Sequence, residues 1–316
     1  MGYGAGLKNY YRTTGFASVS RNFPTNPPNF YVAGGSAPAF CVALLVGRLR
    51  AVVPVFPYVP APPFSPADLP GLVSWYNASA LRLADGDPVD EWPDSSPSAY
   101  LLSKAAPLAP SPVFAASDPL LGGKPSVQFS RGVGPRSCSA LSLVLPLAGS
   151  LLPMINAPRT VYAVGYLTAP DSIGAQGCFG YGVDTTVAKL QFSKVGSGAF
   201  GVDFGFLLSG SGPLLAGGGF VACLPYLGDI AASPFYLSGA ELPSGPDFAI
   251  RTGTDGGGVF LIVMGAGVTY SASPEILANW GGAVAETLIY DSAHDAATRA
   301  IVTNYLAAKY AIALTP

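Results

Sequence analysis

Asp85, Asp87, Asp90, Glu91 and Asp94 crowd one short stretch among glycine and proline positions. Paired carboxylates are what glycoside hydrolysis requires, and on a strand they converge when they alternate, as in an ExDxE spacing. No strand of this chain carries that spacing, so the cluster reads first as a solvated turn followed by a short strand. The second reading is a calcium site on Asp85, Asp87 and Asp90, because carboxylates and loop carbonyls suit a hard cation. His294 is the only histidine, which excludes a histidine-built metal cluster and leaves at most one imidazole base. No GxSxG elbow accompanies it, so acyl transfer is set aside.

Glu286 is the other candidate acid. Strand alternation places it on one face with Leu288 and Tyr290, and a carboxylate buried there needs a partner, an Arg or backbone amides being expected. The four cysteines, Cys41, Cys138, Cys178 and Cys223, are far apart and form no CxxC pair, so they read as small buried thiols, with disulfides left open. Two glycine triplets, Gly217 to Gly219 and Asp255-flanked Gly256 to Gly258, lack the phosphate-loop context and read as turns. Asn77-Ala78-Ser79 is a glycosylation triplet of a kind common by chance.

The elements that would position these residues are short. From Phe64 to Pro316, apolar or alternating segments are separated by Gly, Pro, Ser and Asp clusters, the pattern of a sandwich or barrel. Strands are expected at Ser126 to Phe129, Thr160 to Leu167, Gly201 to Leu208, Val259 to Met264 and Ala285 to Tyr290. One helix is expected at the C-terminus, opened by Ser292 and Asp295 in a capping-box-like start, with His294 on the surface of its first turn. Ile301, Val302, Tyr305, Leu306 and Ala308 then fall at helical spacing and form the docking face. Residues 1–63 form a separate arm, in which prolines favour an extended course and Phe40 to Val55 is apolar enough for a strand pair.

Only 11% of the residues are charged, against roughly 25% in an ordinary soluble domain. A surface so poor in charge suits a chain whose partners are other copies of itself and other assembly proteins. The net charge of -2, with scattered Lys and Arg, gives no footprint for nucleic acid. The apolar run from Ala39 to Val59 is broken by Arg48, Arg50, Pro54 and Pro57, so no transmembrane helix is expected. The first fifteen residues lack the pattern of a secretory signal, from which release within a particle or by a non-classical route follows as an expectation.

LPGLVSWYNASALRLADGDPVDEWPD, from Leu69 to Asp94, resembles the opening of LamG-like domains of the concanavalin A-like jelly-roll family. GGKPSVQFS, from Gly122 to Ser130, is similar to a following strand of that family, and AETLIYDSAHDAATRAIVTNYLAAKY, from Ala285 to Tyr310, to its closing strand and helix. The resemblance brackets Phe64 to Ile312 and implies an all-β jelly-roll β-sandwich with one C-terminal helix. It implies that Trp75, Tyr76, Trp92, Asp94, Glu286 and Tyr290 define the fold and are not catalytic. No cofactor is implied, calcium apart.

Three functions follow as expectations. The first is a non-enzymatic structural protein of a virus or phage particle or similar extracellular assembly, its sandwich outward and its arm tying it to neighbours. The alternative is a carbohydrate-binding, lectin-like module for surface glycans, whose site would show exposed aromatics beside Asp, Asn and Arg, with Tyr162, Tyr166, Tyr181 and Tyr236 as conceivable members. A glycoside hydrolase is third, disfavoured by the missing carboxylate pair.

Overall fold

The computed structural model describes residues 64–105, 109–131, 139–145, 151–153, 157–168, 176–183, 189–195, 199–203, 208–213, 217–228, 232–242, 260–267 and 278–315, together with four short strands nearer the N-terminus. The chain divides into two compact units, Met1–Phe64 and Ser65–Pro316. In the first unit, β1 (Phe16–Val19) pairs antiparallel with β2 (Phe30–Ala33), and β3 (Leu45–Val46) with β4 (Leu49–Arg50). The second hairpin falls inside the stretch in which a strand pair is expected.

The second unit opens with β5 (Leu72–Asn77), β6 (Glu91–Pro93), β7 (Leu101–Lys104), β8 (Val113–Asp118), β9 (Lys124–Phe129) and β10 (Leu141–Leu145). It continues through β11 (Arg159–Leu167), β12 (Gln176–Val183), β13 (Lys189–Val195), β14 (Ala199–Asp203), β15 (Leu208–Pro213) and β16 (Phe220–Tyr226). It ends with β17 (Phe235–Leu237), β18 (Ala240–Leu242), β19 (Phe260–Met264), β20 (Ala266–Gly267), β21 (Ala278–Asn279), β22 (Gly282–Tyr290) and the helix α1 (Ala296–Tyr310).

These strands form two large antiparallel sheets. One runs β18-β17-β16-β11-β22-β9-β8, with β5 also on β22, and the other runs β15-β14-β13-β12-β19-β10-β7-β6. The chain is therefore an all-β sandwich of the jelly-roll kind closed by one C-terminal helix. The inner faces meet in a core of Tyr76, Trp92, Phe179, Tyr181, Phe192, Phe200, Phe220, Phe235, Trp280 and neighbouring aliphatics. Each such ring taken out of water contributes roughly 1.5–3 kcal/mol. Phe200 sits at the centre of a ring cluster, 4.7 Å from Phe220 and 6.0 Å from Trp280 between centroids.

The central strands β11 and β22 are buried at every residue. Their inner faces meet the opposite sheet, where Thr287 Oγ1 lies 3.7 Å from the Met264 sulfur. Their outer faces carry Glu286 and Tyr162 toward the C-terminal segment, where Glu286 meets Lys309 and Tyr310, and Tyr162 meets His294. The edge of β22 is shared in two halves, β9 pairing with its first residues and β5 with its last. Gly71, just before β5, has φ +82°, and its carbonyl accepts the Asp291 N–H at 2.8 Å. A Cβ there would only displace the exposed Asp291 carboxylate, so it is the positive φ that favours glycine at this position.

Four expected strands correspond to β9, β11, β19 and β22, with Val259 of the third outside the described residues. The fifth is corrected: Gly201 to Leu208 is not one strand, because β14 ends at Asp203 and β15 begins at Leu208, the two pairing antiparallel. Apolar residues on both sides of that reversal conceal it from a strand pattern. Gly217 has φ +72°, in keeping with a turn, whereas the Asp255 to Gly258 turn lies outside the described residues.

The helix is capped by Asp295, whose carboxylate accepts the Thr298 N–H at 2.8 Å. Ser292 does not take part in the cap; its carbonyl instead accepts the Thr160 hydroxyl. The buried face is Val302, Thr303, Leu306, Ala307 and Tyr310, while Ile301 and Ala308 point to solvent. The docking stripe is thus rotated from the expected one, because Lys309 and Tyr310 are drawn to Glu286. No helix among the described residues is long and apolar enough to cross a membrane.

Candidate functional site

Glu286 is fully buried on β22, and its carboxylate is met by three side chains from two elements. Trp75 of β5 donates its indole N–H to Oε1 at 2.6 Å, while Lys309 and Tyr310 of α1 reach Oε2 at 2.7 and 2.9 Å. Lys309 also donates to Asn77 Oδ1 at 3.3 Å. The partners are therefore a lysine, an indole and a phenol, and not the arginine or backbone amides expected from the sequence. Burial first, and then the Glu286 charge, raise the Tyr310 hydroxyl well above its ordinary pKa, which keeps it a donor. A carboxylate held by three donors, two of them on the helix, orients that helix on the sheet.

Asp94 follows β6 and reaches the other sheet. Its Oδ1 accepts the Trp75 N–H and the Ser96 N–H, each at 2.7 Å, which fastens the turn after β6 to β5. Tyr76 and Trp92 are wholly buried and pack edge to face at 6.1 Å, whereas Trp75 is half-buried. Tyr290 is also buried, donating its hydroxyl to the Pro66 carbonyl at 3.1 Å.

Asp85, Asp87 and Asp90 are not gathered. Asp85 accepts the Ala116 N–H of β8, Asp87 the Ala84 N–H, and Asp90 the Ser111 hydroxyl, so each is engaged by a different donor. Among the described residues no group of three His, Cys, Asp or Glu side chains is placed to hold a metal ion. These three aspartates therefore do not form the calcium site read from their proximity in sequence.

His294 is not on the surface. It is buried just before the helix cap, with Nδ1 2.9 Å from the Tyr162 hydroxyl, its N–H donated to Thr160 Oγ1 at 2.7 Å, and its ring 4.3 Å from that of Tyr290. Burial, the largest cause, lowers its pKa to about 4, so the ring is neutral at pH 7. Cys223 lies in the same region as a free buried thiol, pushed up to about 12 by burial against the lowering effects of Arg299 and Tyr162. A thiol held protonated is no nucleophile at neutral pH. Cys178 is likewise free and buried, while Cys41 and Cys138 lie outside the described residues.

Of the four tyrosines considered for sugar stacking, Tyr162, Tyr166 and Tyr181 are buried, and Tyr236 alone is partly exposed. Tyr236, on β17, donates its hydroxyl to Glu241 Oε2 of β18 at 2.8 Å and accepts from Arg299 of α1 at 3.0 Å. The Arg299 guanidinium lies 4.1 Å from the ring centroid. Burial, followed by the Glu241 hydrogen bond, raises the Tyr236 hydroxyl to about 12. An aromatic ring, an exposed carboxylate and a guanidinium therefore share one patch at the β17–β18 hairpin. Glu241 and Arg299 had no motif to mark them; only the hairpin and helix bring residues so distant in sequence together.

No family model matches this chain, and no curated protein matches it. Among solved structures it is similar to a Trypanosoma rangeli sialidase in complex with sialic acid, at 15% identity and a TM-score of 0.47 over 78% of this chain and 35% of that one. It is similar to a Ruminococcus gnavus IT-sialidase CBM40 bound to alpha2,3 sialyllactose, at 12% identity and a TM-score of 0.40 over 56% of this chain and 95% of that one. A third is domain 4 of AbnA, a GH43 extracellular arabinanase from Geobacillus stearothermophilus, in complex with arabinotriose, at 12% identity and a TM-score of 0.46 over 76% and 98% of the two chains. The chain spans only about a third of the length of the sialidase chain, 35%.

Proposed function

We propose that this chain is a non-catalytic, carbohydrate-binding sandwich of the LamG-like kind, with the Tyr236, Glu241 and Arg299 patch as its sugar contact. The observation that carries the reading is that patch: a partly exposed ring flanked by an acceptor and a charged donor, which is the chemistry that recognises a pyranose face and its hydroxyls. The absence of catalysis is supported by the use of Glu286 and Asp94 as clamps within the fold.

A glycan array probed with the full chain tests it. Retention on a defined set of sugars, lost in Tyr236→Ala with the unfolding midpoint kept, is the expected result. Retention unchanged in Tyr236→Ala overturns the assignment of the patch, and no retention on any sugar overturns the function.

The low charge content of 11% favours a second reading, a structural component of a particle whose surface is covered by neighbours. In that case deleting residues 1–63 leaves a folded sandwich that no longer assembles. Sedimentation of the full chain as a monomer at high concentration contradicts it.

A further inference from the structure

The seam between the two sheets carries four buried polar atoms that the protein itself does not satisfy. Ser74 Oγ, Tyr76 OH, Trp92 Nε1 and Asp94 Oδ2 have no hydrogen-bond partner, and Ser74, Tyr76 and Trp92 are wholly inaccessible, Asp94 8% exposed. They come as two pairs. Ser74 and Tyr76 alternate on the same face of β5, in one sheet, and Trp92 and Asp94 alternate at the end of β6, in the other. The pairs are brought together by the 6.1 Å edge-to-face contact of Tyr76 with Trp92 and by the hydrogen bond from the Trp75 N–H to Asp94 Oδ1. The Tyr76 hydroxyl also feels its neighbours. Burial raises its pKa most, the Asp94 carboxylate raises it further, and Ser74 lowers it while lying outside hydrogen-bond geometry.

We propose that Ser74, Tyr76, Trp92 and Asp94 enclose a binding site for structural water at the seam of the sandwich. The donor set identifies the occupant. Trp92 Nε1–H can only donate and Asp94 Oδ2, as a carboxylate oxygen, can only accept, while the two hydroxyls do either. A cation would face the indole N–H and an anion would face the carboxylate. Water accepts from the first and donates to the second, and its remaining bonds suit the hydroxyls. Unsatisfied polar atoms in an interior are costly, whereas a water with two to four polar partners is a regular part of a core. This site is independent of the sugar reading: it fastens the β5 end of one sheet to the β6 end of the other.

A high-resolution crystal structure of the full chain is the direct test. The expected result is ordered density within hydrogen-bonding distance of Asp94 Oδ2 and Trp92 Nε1. Oxygen-17 relaxation dispersion of the full chain in solution should show a long-lived water, and Trp92→Phe should remove a contribution of about one water molecule. Tyr76→Phe gives a milder change with a shorter water residence time, and serves if Trp92→Phe does not fold. A collapsed seam in which Asp94 Oδ2 bonds directly to Tyr76 or Trp92 overturns the proposal. So does an ion at the site, seen by anomalous scattering, or a dispersion profile identical in wild type and variant.

Discussion

Two buried carboxylates, Glu286 and Asp94, are treated differently by the fold. Glu286 lies between sheet and helix and is met by Trp75, Lys309 and Tyr310, so both of its oxygens are satisfied by the protein. Asp94 lies at the sheet seam, with one oxygen held by two backbone N–H groups and the other without a protein partner. The difference follows from what each must join. A helix side chain can extend to a charge, as Lys309 does, whereas Asp94 is held by the backbone N–H groups of Trp75 and Ser96.

The largest effect should come from breaking the closed clamp. Glu286→Ala is expected to lower stability by about 3 kcal/mol, because it removes the ion pair and leaves the Tyr310 hydroxyl buried without its acceptor. Urea unfolding followed by tryptophan fluorescence measures this. An effect no larger than that of Asp94→Asn would erase the contrast between the two sites.

A smaller effect is expected at His294, on the same side of the sheet as Glu286. Its folded pKa of about 4 lies below the unfolded value of roughly 6.5. Above that window both states hold a neutral ring and stability is at its full value. As pH falls from about 6.5 toward 4, the unfolded chain takes up the proton first, and stability drops by about 1–2 kcal/mol after allowance for solvent screening. Thermal unfolding of the wild type and His294→Gln across this range should converge as the pH is lowered. Parallel pH curves would place the loss elsewhere.

Asp94→Asn should cost less, about 1 kcal/mol, because the amide oxygen can keep the Trp75 and Ser96 N–H bonds while the amino group takes the place of the unpartnered oxygen. Circular-dichroism melts of the single variants and of Asp94→Asn with Glu286→Ala should show a non-additive loss, since both carboxylates hold Trp75, one through its indole and the other through its backbone N–H. Smallest of all is Tyr236→Ala, expected to change stability by about 0.5 kcal/mol or less while removing sugar retention. A large stability loss there would make the Tyr236 patch a helix anchor instead of a contact surface.

The sandwich was legible because short alternating segments, turn residues and a single C-terminal amphipathic stretch leave few other architectures. Glu286 could be read as buried from the alternation with Leu288 and Tyr290. Its partners could not, since nothing local connects β22 to Lys309 or β5 to Glu286. The same limit explains His294, placed on the surface by its nearness to a helix start but buried by Thr160, Tyr162 and Tyr290 from elsewhere in the chain. Asp85, Asp87 and Asp90 are the converse case: neighbours in sequence, they do not combine because each is engaged by a different donor, on β8, in its own turn and at Ser111. Tyr236 could be named as a candidate ring, but Glu241 and Arg299 join it only through the hairpin and the docked helix.

Glu286→Gln, compared with the wild type for unfolding midpoint and for turnover of aryl glycosides well below both midpoints, tests most directly whether the motif acids support the fold and not a reaction. A lowered midpoint with no turnover by either protein is the predicted result. Turnover by the wild type that vanishes in Glu286→Gln while the midpoint stays unchanged would contradict it.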